Sequence, residues 1–203
     1  NNNPITSQIK FTPNSANGTV DITFTFDSAL LEDGITLVAF ESLIIVVDDS
    51  DVVITTHNNI NDVDQTVSIP TIHTTFFDRD LADVDDFNNA TVGENVTLVD
   101  TVHYEDIIPG LEYTLYGTIM IKETNSPLTD SEGNIIEITK TFTPTTATGD
   151  IEVEFTVNTA ELKGKTLVAF ETLEYNGITL VVHNDINDND QTVHVPDVHT
   201  TAV

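Results

Sequence analysis

The sequence predicts an all-β fold built from tandem two-sheet sandwich repeats. Three observations predict it. Val, Ile and Thr are abundant, and β-branched side chains suit a pleated strand better than a helix. Short stretches alternate apolar and polar residues, most cleanly IEVEFTV at 151–157. A unit of about 126 residues recurs along the chain, with turn signals between its apolar runs.

In order along the complete unit, strands are expected at 71–77, 95–104, 111–121, 135–143, 150–157, 166–174, 178–183 and 191–195. Turns are expected at Pro109–Gly110, Glu132–Gly133–Asn134, Thr148–Gly149–Asp150 and Asn176–Gly177. Pro presets φ there, and Gly or Asn tolerates a left-handed residue. Seven or eight short strands in a unit of this size fit a sandwich. No stretch carries a helical period.

The repeat shows in four places. ITLVAFE at 35–41 returns as KTLVAFE at 165–171. HNNINDVDQTV at 57–67 returns as HNDINDNDQTV at 183–193. PTIHTT at 70–75 returns as PDVHTT at 196–201, and KFTPNSANGTVDITF at 10–24 matches TFTPTTATGDIEVEF at 141–155. The second and third pairs are 126 residues apart. The first is 130 apart, because residues 46–56 carry a four-residue insertion. The expected organisation is therefore the C-terminal part of one repeat at 1–69, a complete repeat at 70–195 and the first strand of the next at 196–203. With no initiator Met and a boundary inside a repeat, the chain reads as a segment of something longer. The short Pro-containing joints at Ile69–Pro70 and Val195–Pro196 suggest stiff packing of successive units.

Charge narrows the function. Against 34 Asp and Glu stand only 6 Lys and Arg, for a net charge of −28. Such a surface repels phosphate backbones and anionic bilayers, so no nucleic-acid partner and no membrane insertion are expected. No transmembrane run is present. Cys is absent, so disulfides cannot staple the fold.

Three positions stand out chemically. Strand parity puts Glu171 on one face with Leu167, Ala169 and Leu173, as it puts Glu41 with Leu37, Ala39 and Leu43. A carboxyl there is paired, protonated, or at an edge that reaches water. His183 to Gln191 supplies an imidazole, several carboxylates and a carboxamide within nine residues, which is either a polar loop or a proton-transfer cluster. Thr74 shares a face with Ile72 and Phe76. Such a Thr is ordinarily core filler, and becomes a nucleophile only beside a base.

The residues DTVHYEDIIPGLEYTLYGTIM at 100–120, TLVAFETL at 166–173 and HNDINDNDQTV at 183–193 together resemble the VaFE-repeat, or Thr–Gln ester-bond, domains of Gram-positive surface adhesins. The resemblance covers 70–195, and the C-terminal half of the pattern covers 1–69. It implies an Ig-like (CnaB-like) β-sandwich in tandem. It further implies an autocatalytic, single-turnover ester between a first-strand Thr and a last-strand Gln, with no cofactor, no metal and no substrate turnover. By that pattern the cross-linked pair is Thr74 and Gln191, with Thr75 as the alternative one register step away. The assisting residues are Glu171, His183 and Asp188. The partial repeats hold Glu41, His57, Asp62 and Gln65 on one side and Thr200 on the other. An amide and an aliphatic hydroxyl react poorly unless held together, where effective molarities of roughly 10⁵ M are attainable. The implied setting is a cell-surface, wall-anchored stalk or fibre. Neighbouring repeats would be its partners, and any host or cell-surface ligand would lie elsewhere in the full protein.

Other readings stay open at this stage. DINDN at 185–189 and the acidic run Asp78, Asp80, Asp83, Asp85 and Asp86 suit a calcium-rigidified module, although that run lacks the spacing and Gly of an EF-hand. A filament joined by strand exchange between chains would complete Gln65 and Thr200. A Lys–Asn isopeptide lock would need a buried Lys, and only Lys140 lies in an apolar strand context.

Overall fold

The computed structural model describes residues 4–26, 34–83 and 88–201. Among these residues the structure is β, joined by turns and three single-turn 3-10 helices, with no α-helix.

The first four strands are β1 (Thr36–Val38), β2 (Glu41–Val47), β3 (Ser50–His57) and β4 (Thr66–Ser68). β1 pairs with β4 and β2 with β3, all antiparallel. They form two small ladders without a second layer. Leu43, Ile45, Val46, Val52, Val53 and Ile54 remain exposed. Residues 10–24 match the strand-forming stretch 141–155 in sequence but form no strand, because no partner strand lies beside them among the described residues.

From residue 71 onward the chain closes into a sandwich. One sheet has the order β10–β6–β5, with β5 at Thr71–Asp78, β6 at Val96–Glu105 and β10 at Gly149–Val157. The other centres on β11 (Thr166–Tyr175) and β7 (Tyr113–Ile121). β7 also carries β8 (Ser126–Pro127) and β9 (Glu137–Phe142). β12 (Ile178–His183) and β13 (Thr192–His194) share the remaining edge of β11, at its two ends. Every pairing between these strands is antiparallel, as expected for an Ig-like sandwich with one face of each sheet turned inward, and the isolated bridge of Asn89 to His194 is parallel. The eight expected strands all form, within a few residues at each end. The two-residue β8 has no sequence signal.

Alternation sets the core. Phe76, Leu98, Val102, Val153 and Phe155 point inward from one sheet and meet Leu115, Ile119, Leu167, Ala169, Leu173 and Val193 from the other. Phe76 and Phe155 pack edge to face, with ring centroids 6.2 Å apart. Gly117 is required by this packing. A Cβ there would lie 2.9 Å from Phe155 Cζ and 3.1 Å from Val153 Cγ1. Gly117 also sits directly opposite Glu171 in the β7–β11 ladder, so the layers approach closely beside that carboxyl group.

The last strand is held on both edges. β13 pairs with β11, and its other side meets residues 88–90. The Ala90 N–H donates to the His194 carbonyl at 2.8 Å, and the His194 N–H donates to the Asn88 carbonyl at 2.6 Å. Asp78 anchors this cover. Although fully buried, its Oδ2 accepts from both the N–H and the hydroxyl of Thr91 at 2.6 Å, and its Oδ1 accepts from Asp80 N–H at 3.0 Å.

Candidate reaction centre

The centre lies where the first and last strands of the sandwich meet. β5 alternates, burying Ile72, Thr74, Phe76 and Asp78 and exposing His73 and Thr75. Thr74 is thus the inward hydroxyl and Thr75 the outward one. Its neighbour β6 buries Leu98, Asp100, Val102 and Tyr104 on the same inward face.

From the opposite sheet, β11 supplies Glu171, buried between Ala169 and Leu173. Glu171 is paired in register with His183 of β12. The chain then turns through Asn184–Asp190, and local contacts fix this turn. The Asp188 Oδ1 accepts from Asp190 N–H at 2.9 Å, and the Thr192 hydroxyl donates to the Asp188 carbonyl. Two adjacent carbonyls then face opposite sheets: Asp190 O accepts from Phe76 N–H at 2.8 Å, and Gln191 O accepts from Ala169 N–H at 3.0 Å. Gln191 is thereby pinned between the layers, with its side chain fully buried.

The carboxamide is oriented by Glu171. Gln191 Nε2 donates to Glu171 Oε2 at 2.8 Å, and lies 3.5 Å from the His183 carbonyl. His183 turns Nε2 outward to Asp188 Oδ2 at 3.2 Å, leaving Nδ1 buried with no partner. With Nε2 carrying the proton toward Asp188, Nδ1 holds a lone pair inside the site.

Asp100 is the member that sequence reasoning missed. It is fully buried among apolar neighbours, with neither oxygen in a standard hydrogen bond. Burial pushes its carboxyl group up, against the opposing pull of Glu171, His183 and the Thr74 hydroxyl. Glu171 is held well above the usual carboxylate range, first by burial and then by the adjacent Asp100 charge. Both carboxyl groups therefore favour their protonated forms more than exposed carboxyl groups do. Parity was the available signal, since Asp100 lies in phase with Leu98 and Val102. Its position opens the DTVHYED run, but the partial repeat has no counterpart to flag it.

Thr74 Oγ1, both Asp100 oxygens, Glu171 Oε1, His183 Nδ1 and Gln191 Oε1 are all buried without hydrogen-bond partners. Such orphans are rare in folded proteins and cost on the order of 1–3 kcal/mol each. Here they belong to five residues linked to one another by hydrogen bonding or charge. A buried hydroxyl, a carboxamide, an imidazole with a free lone pair and two adjacent buried carboxyl groups are the components of acyl transfer.

The partial repeat holds part of the same arrangement. Glu41 pairs in register with His57, Gln65 Nε2 donates to Glu41 Oε2, and His57 Nε2 meets Asp62 Oδ2 at 2.8 Å. Ala39 N–H donates to the Gln65 carbonyl at 3.0 Å, and the Thr66 hydroxyl donates to the Asp62 carbonyl at 2.6 Å. Thr200 is exposed and far along the chain, outside any strand.

The other sequence readings find less. Among the described residues, no three His or acidic groups converge as a metal site. Asp78 is engaged by Asp80 and Thr91, and Asp85 and Asp86 lie outside the described residues. Lys140 is exposed and donates to the Glu152 carbonyl at 2.6 Å, so it is not a buried amine awaiting a partner.

The sequence profile of the T-Q ester bond containing domain matches residues 1–69 and again 70–195. No curated protein matches significantly. Among solved structures, the chain is similar to a bacterial adhesin from Mobiluncus mulieris described as containing intramolecular disulfide, isopeptide and ester bond cross-links. In one crystal form the identity is 17% and the TM-score 0.46, over 61% of this chain and 56% of that one. In a second form the identity is 15% and the TM-score 0.48, over 63% and 57%. The match thus spans less than two thirds of the adhesin's length.

Proposed function

The chain belongs to the T-Q ester bond containing domain family, and on that premise we propose that residues 70–195 form a self-cross-linking stalk repeat of an extracellular surface adhesin, joined by an ester between Thr74 and Gln191. The observation that carries this reading is the cluster of partnerless buried polar atoms on Thr74, Asp100, Glu171, His183 and Gln191. Thr74 Oγ1 attacks Gln191 Cδ, and its proton passes to His183 Nδ1. Asp188 and Asp100 stabilise the imidazolium so formed. The protonated Glu171, already bonded to Nε2, supplies a proton to that nitrogen as the Cδ–Nε2 bond breaks. Ammonia leaves, and His183 returns its proton to the carboxyl pair. Each centre reacts once, so the chemistry is assembly and not turnover. The burial of Thr74, Glu171 and Gln191 keeps out the water that would hydrolyse the ester.

The bond ties the first strand of the repeat to its last. Load entering at Pro70 would cross through Thr74 and Gln191 and leave at Val195, bypassing most of the repeat. That suits a Cys-free stalk of successive repeats at a cell surface, anchored to the wall through other parts of the protein. Intact mass of the chain tests the chemistry. The wild type is expected to fall short of its sequence mass by one ammonia, and Thr74→Ala and Gln191→Ala are each expected to restore it. A folded wild-type protein at full mass refutes the reading.

A further inference from the structure

His183 is shielded by a residue with no assigned part in the reaction. His73 sits on β5 immediately before Thr74, on the outward face. Its ring meets that of His183 edge to face, with centroids 6.3 Å apart and planes at 85°. The side chain of His183 is 21% exposed. His57, its counterpart in the partial repeat, holds the same Nε2 contact to an Asp but is 59% exposed, with no β5-type strand beside it among the described residues. His and Thr are also adjacent at His199–Thr200, so the pair recurs with the nucleophile strand.

We propose that His73 is a positioning residue for ester formation, whose ring wedges against His183 and keeps Nδ1 turned toward the buried hydroxyl. This rests on the ester-bond reading above. An imidazole bonded at Nε2 alone can rock about that contact, and a second contact across the ring removes the freedom. Four titratable groups surround His183: Asp188 from its own loop, Asp100 from β6, Glu171 from β11 and His73 from β5. His73 is opposite His103 in the β5–β6 ladder. His103 is itself tied to Asp150 at 2.7 Å and Glu105 at 3.6 Å, so it leaves His73 to His183.

The test is the rate of ammonia loss as the whole chain, made by chemical synthesis under denaturing conditions so that it starts unlinked, folds for the first time, followed by intact mass. His73→Val keeps strand propensity at this exposed position while removing the ring. It is expected to slow cross-linking by about tenfold or more, because small misplacements of reacting groups are costly. His73→Phe restores an aromatic ring and is expected to stay within about threefold of wild type. Recovery of the rate by an aromatic ring without an imidazole is what a general loss of stability would not produce. His73→Ala serves as a second ring deletion, with circular dichroism as the check on folding. Wild-type rates in both deletions, or a Phe variant as slow as they are, would overturn the proposal. A wild type that never loses ammonia would instead overturn the ester-bond reading itself.

Discussion

The chain holds the same four side chains twice, in two different surroundings. Glu171, His183, Asp188 and Gln191 lie inside a closed sandwich, whereas Glu41, His57, Asp62 and Gln65 lie on open ladders. The Glu–Gln contact, the Glu–His register, the His–Asp contact and the carbonyl held by Ala39 or Ala169 are alike in both. Strands β1–β4 are therefore enough to arrange the acyl side. Full enclosure is what they do not supply: Gln65 Oε1 is buried, but Glu41, Asp62 and Gln65 are only half-buried and His57 is exposed. Val193 is fully buried where its counterpart Val67 is 60% exposed. Only the closed copy has β5 and β6, and these bring the hydroxyl of Thr74, the carboxyl of Asp100 and the low-polarity walls that raise Glu171. Placement of the four side chains is thus local, whereas their full enclosure needs the whole sandwich.

The strongest way to break the comparison is to remove the hydroxyl. Thr74→Ala leaves the closed copy with everything but a nucleophile. The open loop between first and last strands is then expected to cost roughly 4–5 kcal/mol on the chain-entropy account, read as a fall in thermal midpoint on the order of 15 °C. Removing Asp100 makes the closed site resemble the open one more subtly. Asp100→Asn is expected to slow ammonia loss by about 10²–10⁴-fold while the fold persists, since general acid–base contributions fall in that range. Time-resolved intact mass reads this directly.

A titration sharpens the difference in surroundings. In the uncross-linked Thr74→Ala background, Glu171 binds its proton more tightly folded than unfolded. Stability linked to it is complete below the ordinary value of 4.5 and is lost as pH rises through the elevated folded value. Unfolding in urea between mildly acidic and alkaline pH should show this decline, and adding Glu171→Gln should flatten it. The smallest effect is expected on the open side. Gln65→Ala should leave the mass deficit at one ammonia and change stability by no more than about 0.5 kcal/mol, because no Thr hydroxyl faces Gln65 among the described residues. A deficit of two ammonias in the wild type would erase the contrast.

The strands of the closed copy were legible because their alternation is enforced by burial on one face only. Glu171, His183 and Gln191 were legible because two copies spell them alike. Asp100 was hidden for a physical reason. The partial repeat contains no β6 equivalent to compare with, and a lone Asp in a Val- and Thr-rich strand reads as its polar face until the neighbouring sheet is in place. The matched stretch 10–24 shows the converse, since a sequence that forms strand in one copy forms none in the other without a partner beside it. The proximity of His73 to His183 joins edges of two different sheets, which no local pattern encodes.

In the proposed ester formation, the hydrogen bond from Phe76 to Asp190 sets the timing of the chemistry. Ribosomal synthesis proceeds from the N-terminus, so Thr74 exists long before Gln191 and has nothing to attack. The electrophile arrives with the final strand, and only a strand docked against β5 brings it within reach. A chain that stalls, truncates or misregisters its last strand therefore stays unlinked. On the proposed reading, the ester would mark each repeat that was completed and docked in register, and molecules lacking it would be told apart by mass.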